Sequence, residues 1–194
     1  MDFKNARELL ELCEEHKMRI SDVMRQREIE EGETTGEACD ARMKKAYKIM
    51  GESARGSIEK SGKSMGGLLG GEAARLYGWQ QGGGQARSLC GPELGRAVTY
   101  AMAVLETNAS MGLIVAAPTA GSSGIVPWVM LAMEEQFDVT EQEMVQALYN
   151  AGAVGYLAMR NATVAGAVGG CQAEVGSACS MASAMIAHVY GLSL

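Results

Sequence analysis

Thr140-Glu141-Gln142-Glu143-Met144-Val145-Gln146-Ala147-Leu148 opens the stretch whose reading decides the fold. Thr140 with Glu143 three residues on forms a capping box, in which each side chain satisfies the other's free backbone N–H at a helix start. Met144, Val145 and Leu148 then recur at helical spacing. From Met144 to Leu194 the only fully charged side chains are Arg160 and Glu174, and small residues dominate. Helices of this kind belong in the middle of an assembly.

Working outward, the same period recurs. Leu94, Val98, Met102 and Leu105 mark a core helix behind Pro92, which suits a first helical position. A helix resumes through Pro127 to Gln136. Near the start, Leu9, Leu10 and Cys13 repeat among charges. Ser21 offers an N-cap for a second helix, and a third is expected from about Thr35 to Lys60. Charge separates these regions: residues 1–63 hold 27 charged side chains and residues 64–194 only 13. The expectation is one all-α domain over 1–194, with charged outer helices in 1–63, glycine-rich loops in 64–91 and core helices in 92–194.

Composition narrows the function. Aromatics are 5% of the 194 residues while Met numbers 14, so Ala, Gly, Met, Leu and Val must fill the interior, which favours closely approaching helices over a sandwich. A net charge of -6 offers no basic face for nucleic acid. The longest charge-poor runs are broken by Pro118, Pro127 and a polar loop, so no membrane span is expected. Five scattered cysteines point to reduced thiols in the cytoplasm rather than a disulfide framework.

Four segments are candidates for chemistry. Gly62-Lys63-Ser64 misses a phosphate loop by one residue, because the required glycine position is Ser57. Gly66 to Glu72 is either a close backbone approach to a ligand or a surface link. Thr119-Ala120-Gly121-Ser122-Ser123-Gly124 puts consecutive small residues at a helix start, where backbone N–H groups and three hydroxyls would hold a carboxylate; the alternative is an ordinary cap. Cys171 follows a glycine pair, with Glu174 three residues on. Glu174 is either a base or metal-side acceptor, or a partner of the helix dipole. Eight helical residues part Cys171 from Cys179 by about 12 Å, too far for both to grip one small centre.

Two long blocks make the sequence recognisable. Asn108 through Pro127, and Arg160 through Ser177 with its Gly-Gly-Cys-Gln-Ala-Glu core, resemble the signature blocks of the alpha chain, or catalytic domain, of iron-sulfur-dependent L-serine dehydratases. Ile20 to Met24, Gly70-Gly71-Glu72 and Ser88 to Pro92, with Cys90, extend the resemblance over nearly the whole chain.

The resemblance implies a helical domain holding a 4Fe-4S cluster through three cysteines, with one iron open to act as Lewis acid on the hydroxyl of L-serine. Loss of water and hydrolysis would then give pyruvate and ammonia without pyridoxal phosphate. Cys171 matches the first cluster ligand. The two further cysteine blocks of the family have no counterpart here, which implies a chain truncated relative to the family. Thr119, Ala120, Gly121, Ser122 and Ser123 would cradle the substrate carboxylate, with Asn108 and Asn161 as polar supports. The implied partners are a separate beta chain, further copies of this chain, or both. The rival expectation is an inactive fragment or assembly subunit without a stable cluster.

Overall fold

A computed structural model of the protein describes residues 1–89 and 91–192. Helices account for its regular structure, with no strand among the described residues. In chain order they are α1 (Ala6–His16), α2 (Ile20–Glu31), α3 (Gly36–Glu59), α4 (Glu72–Gln81), α5 (Gly91–Ala109), α6 (Ile125–Gln136), α7 (Glu141–Asn161), the single turn α8 (Gly166–Gly169) and α9 (Cys171–Val189). Short 3-10 turns lie at Gly84–Arg87 and Ala120–Ser122. The chain divides into two compact units, Met1–Tyr47 with Val139–Leu194, and Lys48–Asp138, so α3 contributes to both.

In the first unit, α7 packs along α9 and against α2. The capping box is present: Glu143 N–H donates to Thr140 Oγ1 at 3.3 Å and Thr140 N–H to Glu143 Oε2 at 2.8 Å. The two helices approach closely because Gly155 faces the Met181 side chain, whose sulfur would lie 2.9 Å from any Cβ placed there. This is the small-residue-plus-methionine packing that the composition demands. Phe3, Leu9, Val23 and Met24 join Val145, Tyr149 and Ala153 in one buried cluster, so the charged N-terminal helices also supply core. α9 buries Ala178, Ala182 and Met185 but leaves Gln172, Gly176, Cys179 and Ser183 exposed. Expected in the middle of an assembly, it has one solvent-facing stripe in this chain.

In the second unit, α5 lies between α4 and α6. Met50, Ala97, Tyr100, Val104, Val129, Met130 and Leu131 are buried here. Thr107 on α5 donates to the Ser53 carbonyl at 2.6 Å, and its hydroxyl meets that of Ser57 at 2.7 Å, tying α3 to α5. Two expectations are corrected. The 64–91 stretch is not all loop, because Glu72–Gln81 forms α4 from good helix formers. Ser21 is not the cap of α2: the helix begins at Ile20, the Asp22 carboxylate reaches back to Arg19 N–H at 3.3 Å, and the Ser21 hydroxyl is buried without a partner among the described residues.

Candidate functional site

The loop before α6 carries the expected cradle. Thr119 is extended (φ -127°, ψ 167°) and leads into the 3-10 turn Ala120–Ser122, which leaves the first-turn N–H groups of Ala120 and Gly121 without intrahelical acceptors. Both residues are exposed. The hydroxyls are arranged otherwise than expected. Ser123 is fully buried and donates to the Ala120 carbonyl at 2.7 Å. Ser122 is also buried, with its Oγ 3.2 Å from Thr119 Oγ1 and 3.4 Å from the carbonyls of Ala117 and Thr119. Ser122 and Ser123 therefore brace the loop from within, and Ala120 and Gly121 are the exposed residues of the turn. Gly124 closes the loop onto α5, since a Cβ there would stand 2.8 Å from the Ala101 carbonyl oxygen. Asn108, near the end of α5 in the same unit, is half-buried.

A residue outside the expected set organises the neighbouring segment. Glu106 on α5 is 7% exposed, and its carboxylate accepts from Gly71 N–H at 3.0 Å and Ala73 N–H at 2.8 Å. It supplies the N-terminal cap of α4 from another helix, because Gly71 has no side chain to do so. Glu72 accepts from Gly70 N–H at 2.7 Å, and this bond heads the causes that hold its carboxyl below the usual range. Gly70, at φ 138°, packs on the Gly62 carbonyl so closely that a Cβ would come within 2.2 Å of it. The Gly-rich segment is thus a folded loop anchored at its C-terminal end, with Met65 and Leu68 exposed at its tip. A signal for Glu106 stands in the sequence: it is the sole charged residue between Arg96 and Glu134. A charge isolated in an apolar helix needs a partner.

The remaining candidates lie in the other unit. Cys171 is the first residue of α9, exposed, behind Gly170 at φ 75°. An accessible thiol at a helix start is suited to metal ligation. Cys179 is exposed two turns further along the same helix. Among the described residues no three His, Cys, Asp or Glu side chains gather to hold a metal, and Cys90 lies outside them. Glu174 is half-buried and its carboxylate occupies the space a Cβ at Gly166 would need, 2.8 Å from its Cδ. Asn161 donates to the carbonyls of Lys4 at 2.7 Å and Leu157 at 3.0 Å. Its amide protons are committed to holding the N-terminal segment against the end of α7.

Residues 15–194 match the family model described as serine dehydratase alpha chain. The chain belongs to this family. It is 41% identical, over 97% of its length, to a probable L-serine dehydratase, alpha chain, of Bacillus subtilis (strain 168), and covers 62% of that protein. It is 36% identical, over 96% of its length, to the L-serine dehydratase, alpha chain, of Peptoniphilus asaccharolyticus, and covers 63% of it. An L-serine dehydratase of Helicobacter pylori (strain ATCC 700392 / 26695) is 35% identical over 97% of this chain and 41% of its own length. The serine dehydratase alpha-chain region present here thus spans less than two thirds of each of these relatives. No helix among the described residues is long and apolar enough to cross a membrane.

Proposed function

We propose that this alpha-chain region binds the carboxylate of L-serine in an L-serine dehydratase that releases pyruvate and ammonia. The observation that carries the reading is the turn that begins at Ala120 and Gly121, two exposed residues whose N–H groups have no acceptor within the turn, braced by the buried hydroxyls of Ser122 and Ser123. Backbone donors fixed in this way bind a carboxylate without reorganising. Cys171 is proposed as one thiolate ligand of a 4Fe-4S cluster. The described residues do not fit the cluster by themselves, since they bring no three metal-binding side chains together. A beta chain, further copies of this chain and a cytoplasmic setting complete the proposal.

Because no three metal-binding side chains gather among the described residues, a second reading is an inactive fragment or assembly subunit without a stable cluster. One experiment addresses the binding reading. Titration of the isotopically labelled chain with L-serine is expected to shift the Ala120 and Gly121 amide resonances saturably, with a weaker response in the Ser122→Ala/Ser123→Ala variant. Unmoved amides in the folded wild-type chain would overturn the cradle. Anaerobic incubation of the chain with iron and sulfide is expected to yield neither a stable broad visible band nor pyruvate from L-serine; production of either contradicts the ligand count.

A further inference from the structure

Helix α9 leaves open a face built like an interior one. Gln172, Val175, Gly176, Cys179, Ser180 and Ser183 are exposed and recur three and four apart, a stripe about 16 Å long down one side of the helix. None of the six is charged. The open side of α1 is the ordinary case, where Arg7, Glu11, Glu14 and Glu15 meet the solvent.

The hydroxyls of α9 make no demand on water. Ser177 donates to the Ala173 carbonyl at 2.7 Å, Ser180 to that of Gly176 at 2.9 Å and Ser183 to that of Cys179 at 2.9 Å, each four residues back along the helix. With its proton spent inside the helix, a serine can be covered by apolar atoms without leaving a donor unpaired.

Beside the stripe the surface is concave. A groove of about 720 Å³ runs between α7 and α9 and reaches the start of α1. Val154, Leu157 and Ala158 form its α7 wall, and Ala173, Gly176 and Ser180 its α9 wall. No charged residue is among those that line it. Gln172 stands at its head, next to the exposed Cys171. Such a surface takes a convex and uncharged partner, and the small residues of the α9 wall let the axis of a further helix approach to about 8 Å.

Two considerations select the occupant. A second copy of this chain paired about a two-fold axis would set groove against groove and leave both unfilled. The alpha-chain relatives, by contrast, contain chain that this one does not. More than a third of the Bacillus subtilis protein, and of the Peptoniphilus asaccharolyticus protein, lies outside the match, room for several helices of ordinary length. We infer that the groove between α7 and α9 is the seat of a helix from that remaining part of the alpha chain, lying along Gly176 and Ser180 with an uncharged face inward. Its docking also brings that part of the chain up to Cys171.

The test uses this chain co-produced with the residues of the Bacillus subtilis relative that it does not match. The two polypeptides are expected to purify together. In the complex Cys179 should react with iodoacetamide about tenfold more slowly than in the chain alone, as for a face covered about nine-tenths of the time. Gly176→Leu separates docking from folding. A Cβ at Gly176 meets no atom within 4 Å, so the chain alone is expected to hold or raise its urea midpoint, while co-purification and the protection of Cys179 are lost. Ser180→Leu, on the same wall, is expected to act likewise. Separate purification of the two polypeptides with this chain folded would overturn the proposal, as would capture that survives both substitutions. Protection of Cys179 that develops in the chain alone as its concentration rises would assign the groove to a second copy instead and overturn the occupant. L-Serine is absent from every arm, so the outcome is independent of the reading of the loop before α6.

Discussion

Replacing Glu106 tests how the second unit is held together. Its carboxylate accepts two backbone N–H groups, at 2.8 and 3.0 Å, and each bond to a charged group is worth about 1.5–3 kcal/mol. In Glu106→Ala both acceptors vanish. Ala73 is fully buried, so its N–H bears the full penalty, whereas half-buried Gly71 can turn to water. The expected loss is about 3–5 kcal/mol, a large part of the roughly 5–15 kcal/mol that keeps a domain folded. Glu106→Gln keeps one acceptor oxygen and sets an amide NH2 against the other donor, so its loss should be about 1.5–3 kcal/mol. Urea unfolding measures the order of the three proteins. Amide hydrogen exchange adds location, since protection at Ala73 should fall furthest in the alanine variant. Were both variants to unfold within about 0.5 kcal/mol of wild type, a range ordinary for surface changes, the capping role assigned to Glu106 would be refuted.

Two further perturbations probe the same physics elsewhere. Gly124→Ala places a Cβ 2.8 Å from the Ala101 carbonyl oxygen and 3.2 Å from its Cα, so it should cost about 1–3 kcal/mol in urea unfolding and weaken the L-serine response of the loop. Gly56→Ala, exposed within α3 with no atom within 4 Å of the new Cβ, should instead stabilise by about 0.5–1 kcal/mol; a loss would refute the helix-propensity argument. Asp40 is held below the usual carboxylate range, chiefly by hydrogen bonds from Arg25 at 2.7 and 2.8 Å. Because its folded pKa lies below the unfolded value of about 3.9, its contribution is present above that pH and disappears as pH falls through the folded value. The urea midpoint should drop across that acid range in wild type and less in Asp40→Asn; equal slopes would remove the ion pair from the account.

Most of the helical plan was legible because helix formation is local. The Thr140–Glu143 cap and the recurrence of Met144, Val145 and Leu148 are interactions within one or two turns, and both are present in the structure. α3 was expected at about 35–60 and occupies Gly36–Glu59 for the same reason. α4 escaped a reading by glycine content because its N-terminal N–H groups are satisfied by Glu106, more than thirty residues away in sequence. Ser21 looked like a cap on residue type alone, yet Asp22 reaches back to the Arg19 N–H.

The candidate site divides along the same line. Residue order alone placed the small-residue loop before α6 and Cys171 behind its glycine pair, since both are contiguous blocks. Tertiary packing decided which atoms those blocks present: it buries Ser122 and Ser123, whose hydroxyls bond only their own loop, and Asn161 spends its amide on Lys4, distant in sequence. A residue type states what a side chain can donate or accept. Which partner it meets depends on distant chain brought near by burial, and no local pattern records that.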